Sequence, residues 1–232
     1  MILRVEDLET YIGEFHILQG VSLEVPEGKV TVVLGRNGAG KTTTLRSIMG
    51  LLKPRKGRIE FKGERIDGLP AHMVARKGIG YVPEDQAIFS GLTVEENLKI
   101  AMKGNRSGEL LDKVLSIFPD LKVAWQKKAG SLSGGQRQML ALGRALVGEN
   151  SLLLIDEPSK GLAPVVVEKV AEAIKEIKRQ TTVVLVEQNF NLAQYVGDRF
   201  YIIDDGRTVA QGEMEDLVNN VNLQQKYLGI SL

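Results

Sequence analysis

Three short apolar runs stand out along the chain: VTVVL at Val30–Leu34, LLLI at 152–155 and TVVLV at Thr182–Val186. They are continuous rather than alternating, which predicts strands of a parallel sheet covered on both faces. Two of them lead into helical patterns. After Val30–Leu34 comes a glycine-rich turn and then KTTTLRSIMGLL. After 152–155 comes a turn with Pro158 and Pro164, then VVVEKVAEAIKEIKR, in which Val166, Val170, Ala173, Ile174 and Ile177 fall on one face. Strand–helix alternation of this kind predicts an α/β fold with a mainly parallel core.

The first third is patterned differently. ILRVEDLETY, ILQGVSLEVPEGK and GRIEFKGERI alternate polar and apolar positions, with turns at Pro26-Glu27-Gly28 and Lys62-Gly63-Glu64. They predict antiparallel strands packed beside the parallel core. From 93 to 147 the pattern is helical, in TVEENLKIAM, ELLDKVLSIF and GGQRQMLALGRALV. We read this as a helical subdomain inserted in one domain spanning 1–232, because no linker, low-complexity stretch or internal repeat interrupts the chain.

Composition narrows the chemistry. Of 232 residues, 43% are apolar and 25% charged, enough for a sizeable core. The net charge of +1 provides no general field for nucleic acid or an anionic membrane. The absence of cysteine excludes disulfides, thiolate metal sites and cysteine nucleophiles. MILRVEDLE lacks the basic and apolar regions of a secretory signal, and no apolar run approaches a membrane span. A soluble, cytoplasmic chain is expected, able to sit on a membrane through a partner.

Two strand ends carry candidate chemistry. Gly35-Arg36-Asn37-Gly38-Ala39-Gly40-Lys41-Thr42 fits the phosphate-binding pattern G-x-x-x-x-G-K-[ST] between a strand and a helix, with Thr43 in the same first turn. Glycines let backbone N–H groups converge on phosphate oxygens, and the helix N-terminus adds a positive dipole end. Lys41 places a cation on the outer phosphates, and the Thr42 hydroxyl suits Mg²⁺. LLLIDEP ends in two acids. Asp156 suits Mg²⁺, and Glu157 suits orienting and polarising an attacking water.

SLSGGQRQMLALGRALV lies shortly before LLLIDEP and far after GRNGAGKT. By itself Ser133 reads as a helix N-cap followed by two glycines. With the other two motifs in this order, the chain resembles, over nearly its whole length, the ATP-binding cassette family, the nucleotide-binding subunits of ABC transporters. The resemblance implies the P-loop NTPase ABC ATPase fold, with ATP and Mg²⁺ as ligands. It implies a head-to-tail dimer in which Ser133, Gly134, Gly135 and Gln136 meet the γ-phosphate held by the other subunit. It also implies that Tyr11 stacks on adenine.

Three positions depart from the common family pattern. Glu84 follows YVP where most members have glutamine, and is expected to face Mg²⁺ or the attacking water. Ala163 stands in SKGLAP where SxGLD would give aspartate, and Gln188 follows VLVE where histidine is usual. An amide donates and accepts hydrogen bonds but carries no proton charge near neutral pH, which leaves the general-base role to Glu157. The only histidines, His16 and His72, read as surface or structural residues. The combination VPE, SxGLAP and LVEQN resembles the ATPase subunits of branched-chain amino-acid importers. That branch implies a second cassette, the same or different, two membrane permease subunits, an extracytoplasmic solute-binding protein, and a place on the cytoplasmic face of the membrane. Urea or short-chain amide importers and non-transport regulatory cassettes are the alternatives. Lys99, Met102 and the GLTVEENL helix lie where the family meets its membrane subunit, although an ordinary exposed helix fits them too. Trp125 reads as packing.

Overall fold

The computed structural model describes residues 1–103 and 107–229. Positions 104–106 of the expected helical stretch and 230–232 of the expected domain lie outside it. A long hairpin of β1 (Leu3–Ile12) and β2 (Phe15–Val25) opens the chain, followed by β3 (Val30–Leu34) and helix α1 (Lys41–Ile48). β4 (Lys56–Phe61), β5 (Glu64–Arg65), α2 (Ala71–Arg76) and β6 (Ile79–Val82) come next. The following stretch is helical among the described residues: α3 (Val94–Ala101), α4 (Ser107–Ile117), α5 (Pro119–Val123) and α6 (Gly134–Leu146). The last part alternates β7 (Leu152–Asp156), α7 (Pro164–Lys178), β8 (Thr182–Val186), α8 (Phe190–Val196), β9 (Arg199–Asp204), β10 (Arg207–Glu213) and α9 (Met214–Val218).

The strands form two sheets. One is antiparallel in the order β2-β1-β4-β5, and the other runs β10-β9-β3-β8-β7-β6. In the second, β9, β3, β8, β7 and β6 are parallel and only β10 is antiparallel, at an edge. The continuous apolar runs follow from cover on both faces. Leu153, Ile155, Val183 and Leu185 point into a core shared with α3 to α9. Their alternating neighbours Leu152, Leu154, Val184 and Val186 point into a second core shared with α1 and the antiparallel sheet. Most positions of these strands are therefore apolar, with Thr31, Thr182 and Asp156 as buried exceptions, and no period of two survives in the sequence.

The predicted strands and helices occur, with differences at their limits. α1 stops at Ile48 rather than running through KTTTLRSIMGLL. Gly50 takes φ +73 there, and a Cβ on it would lie 2.3 Å from the Leu69 carbonyl oxygen. β6, β9 and β10 were not anticipated: β6 has only two fully buried positions, and β10 alternates along an edge. α7 buries Val170, Ala173, Ile174 and Ile177, while Val166 is half-buried at its start.

Parallel pairing sets the position of the chemistry. Val33 is opposite Val186, and Val186 is opposite Asp156. The carboxyl ends of β3, β8 and β7 thus lie side by side. Chain segments that leave those ends share one edge of the sheet, where ligands of open α/β sheets bind.

Candidate active site

The loop after β3 turns sharply at two glycines. Gly35 (φ +149) and Gly40 (φ +106) both have a backbone that side-chain-bearing residues rarely adopt. A Cβ on Gly35 would lie 2.2 Å from the Ile203 carbonyl oxygen, and one on Gly40 would lie 2.7 Å from Leu18. The turn leads directly into α1, whose N-terminus at Gly40 has no side-chain cap. Its first N–H groups thus suit an anion. Ala39 is held by its carbonyl oxygen, which accepts from Gly206 N–H at 3.0 Å. Thr43 is buried within the first turn.

Lys41 bends back over this loop. The residue is 4% exposed, and its ammonium donates to the Gly35 and Arg36 carbonyl oxygens at 2.9 and 3.1 Å. Burial pushes its pKa down, while the Glu157 carboxylate, 3.6 Å away, pushes it up; burial prevails. The Thr42 hydroxyl donates to Asp156 Oδ1 at 3.1 Å. The other oxygen of Asp156 accepts from the Tyr81 hydroxyl at 3.2 Å. Burial raises the Asp156 pKa against these two donors, and burial beside this carboxylate lifts the Tyr81 phenol to about 12.

Glu157 follows Asp156 with φ +45, a left-handed backbone that strains a non-glycine residue. Its N–H donates to the Val186 carbonyl oxygen at 2.9 Å, which anchors the bend to β8. One carboxylate oxygen accepts from Gln188 Nε2 at 2.6 Å, and the other lies 3.5 Å from Lys160 Nζ. The same Gln188 amide donates to Asn37 Oδ1 in the glycine-rich loop. Gln188 therefore ties Glu157 to the glycine-rich turn. Between that turn and the end of β8 lies a cavity of about 280 Å³ lined by Gly35, Arg36, Asn37, Glu187, Gln188 and Leu228.

Other predicted positions lie differently. Glu84 lies outside the Thr42–Asp156 hydrogen bond; its carboxylate accepts from Lys160 Nζ at 2.6 Å. Tyr11 is stacked flat on His16, with ring centroids 4.2 Å apart, and the Arg55 guanidinium lies over the Tyr11 ring at 5.0 Å. A purine on Tyr11 competes with these groups for the ring. His16, expected to stand apart, therefore borders a candidate site. Arg36 reaches away from the loop to the Lys226 carbonyl oxygen.

Ser133 and Gln136 form a reciprocal capping box at the start of α6. Ser133 Oγ accepts from Gln136 N–H at 3.2 Å, and Gln136 Oε1 accepts from Ser133 N–H at 3.1 Å. The cap consumes acceptor oxygens, while the hydroxyl and amide hydrogens remain available as donors. Gly135 lets this end approach α7, since a Cβ there would lie 2.6 Å from Val166 Cγ1. Among the described residues, no hydrogen bond or ion pair joins Ser133–Gln136 to the glycine-rich loop.

Sequence reasoning missed Tyr81, Lys160 and the contacts of Glu187. Tyr81 had a readable signal, as the residue opening YVP. Lys160 is visible only as a cation inside SKGLAP, and its partner is 76 positions away.

Residues 18–160 match the family model described as ABC transporter. The high-affinity branched-chain amino acid transport ATP-binding protein BraG of Pseudomonas aeruginosa is 42% identical, over 98% of this chain and 100% of BraG. The probable branched-chain amino acid transport ATP-binding protein LivF of Archaeoglobus fulgidus is 37% identical, over 99% of each chain. Among solved structures, the ADP conformation of an ATP-binding cassette of an ABC transporter superposes with a TM-score of 0.84 at 29% identity, over 97% of each chain.

Proposed function

The chain belongs to the ABC transporter family as an ATP-binding cassette, and from that premise we propose that it binds Mg-ATP and hydrolyses it to power import of branched-chain amino acids. The observation that carries the chemistry is the convergence of Lys41, the Thr42–Asp156 pair and the Glu157–Gln188 pair at the carboxyl ends of three adjacent parallel strands. The named relatives carry the solute class.

Phosphates fit the turn from Gly35 to Thr43, with backbone N–H groups and the start of α1 facing them. Lys41 exchanges its carbonyl partners for phosphate oxygens. Glu157 holds the attacking water and polarises it, and Gln188 orients Glu157 while donating toward phosphate. Among the described residues no cluster of three acidic or imidazole side chains stands ready for a metal. An adjacent hydroxyl and carboxylate do fit Mg²⁺, which keeps water and phosphate as its other ligands. Thr42 and Asp156 would hold it, and bound there it would neutralise phosphate charge.

No helix among the described residues is long and apolar enough to cross a membrane. We assign the chain, as a single domain, to the cytoplasmic face through two permease subunits, paired head to tail with a second cassette and bound to no nucleic acid. Phosphate release by purified wild type and Glu157→Gln tests the chemistry; equal rates would sink the role of Glu157. Uptake by the chain with its co-purified membrane subunits and binding protein tests the solute. Leucine uptake supports the reading, and urea uptake without leucine uptake replaces it.

A further inference from the structure

Glu187 directly follows β8 and takes no part in the chemistry above. It is 1% exposed, and burial raises its pKa against the hydrogen bonds it accepts. Those bonds come from two separate loops. Oε1 accepts from Ser159 N–H at 3.0 Å, two residues beyond Glu157. Oε2 accepts from Gln188 N–H at 2.9 Å and Asn189 N–H at 3.0 Å. A buried carboxylate costs folding free energy unless its oxygens are satisfied. Here one carboxylate satisfies three backbone donors beyond the last β-ladder pair of these strands, Asp156 with Val186. The two loops it joins carry the pair that meets at 2.6 Å, Glu157 and Gln188.

We propose that Glu187 is a positioning residue for ATP hydrolysis: its carboxylate clamps the loop after β7 to the loop after β8 and so fixes Glu157 against Gln188. The inference rests on the hydrolytic reading above. It assigns Glu187 no contact with ATP, so the clamp bears on turnover and not on nucleotide affinity.

Glu187→Gln tests it. The amide has the same shape but one acceptor oxygen, and its NH₂ must face an N–H of one loop. One loop is then released. The expected result is a kcat at least ten-fold lower, with ATP affinity by calorimetry within two-fold of wild type. In a Gln188→Ala background the same substitution lowers kcat by less than three-fold, because the contact it protects is already gone. A folded Glu187→Gln chain with wild-type kcat overturns the proposal. So does a full ten-fold loss in the Gln188→Ala background, or a parallel loss of ATP affinity. If Glu187→Gln does not fold, Glu187→Asp, which keeps the charge but is too short to span both loops, is held to the same limits. A wild-type chain whose phosphate release equals that of Glu157→Gln removes the hydrolytic reading and this proposal together; normal wild-type turnover with an unaffected Glu187→Gln removes this proposal alone.

Discussion

Lys41 is a buried cation whose partners all come from its own chain. Two carbonyl oxygens of its own loop accept its hydrogens, and Glu157 offsets part of the cost of its burial. Phosphate oxygens are stronger partners than these carbonyls, because both members of such a bond are charged. Lys41→Ala should therefore cost at least about 3 kcal/mol of ATP binding, roughly a hundred-fold or more in Kd by calorimetry. Unchanged binding would remove Lys41 from the phosphate site. Lys160 poses the subtler case, since it lies between Glu84 and Glu157. Where a neutral glutamine is usual, this chain has a carboxylate and a cation that offsets it. Lys160→Ala should raise the KM for Mg-ATP several-fold through unscreened negative charge, and adding Glu84→Gln should restore it. No restoration in that double variant would show that Lys160 acts independently of Glu84. The meeting of Lys41, Thr42, Asp156 and Glu157 was legible because each follows an apolar run in a motif with known spacing. The contacts of Tyr81, Lys160 and Glu187 were not, because they depend on which strands lie side by side, although YVP marks the position of Tyr81.

At the scale of elements, strand order decides what meets what. The pairing of β7 with β8 and of β8 with β3 puts Asp156, Val186 and Val33 abreast. The apolar runs predicted β3, β7 and β8 but not their order, and left the buried β9 unmarked. The edge strand β10 escaped notice because its exposed positions carry no such run. At the start of α6, Gly135 lies close against Val166, where an added Cβ would come within 2.6 Å of Cγ1. Overpacking a tight contact costs about 1–3 kcal/mol. Gly135→Ala should lower Tm by about 2–4 °C per kcal/mol lost in a chain of this size. Val166→Ala removes the opposing methyl groups, so the double variant should recover most of that loss in a thermal melt. A Gly135→Ala chain as stable as wild type would show that α6 and α7 can separate there without penalty.

At the scale of the whole molecule, the question is which chain the Ser133–Gln136 turn serves. The cap uses acceptors and leaves donors, which suits an anion, yet the turn has no bond to its own glycine-rich loop among the described residues. The head-to-tail pair proposed above would bring that turn to the phosphate held by the other chain. Glu157→Gln should then bind Mg-ATP, fail to hydrolyse it and accumulate as a dimer in light scattering. Gly134→Asp separates the two possibilities. Gly134 has room for a Cβ, with the nearest side-chain atoms 3.7 and 4.0 Å away, and an acid in the first turn of a helix is favourable for the helix itself. The same carboxylate repels a partner's γ-phosphate. Added to Glu157→Gln, it should leave the fold and single-chain ATP affinity intact while abolishing the dimer. If ATP affinity of the single chain falls instead, the turn faces its own site and the head-to-tail arrangement is wrong.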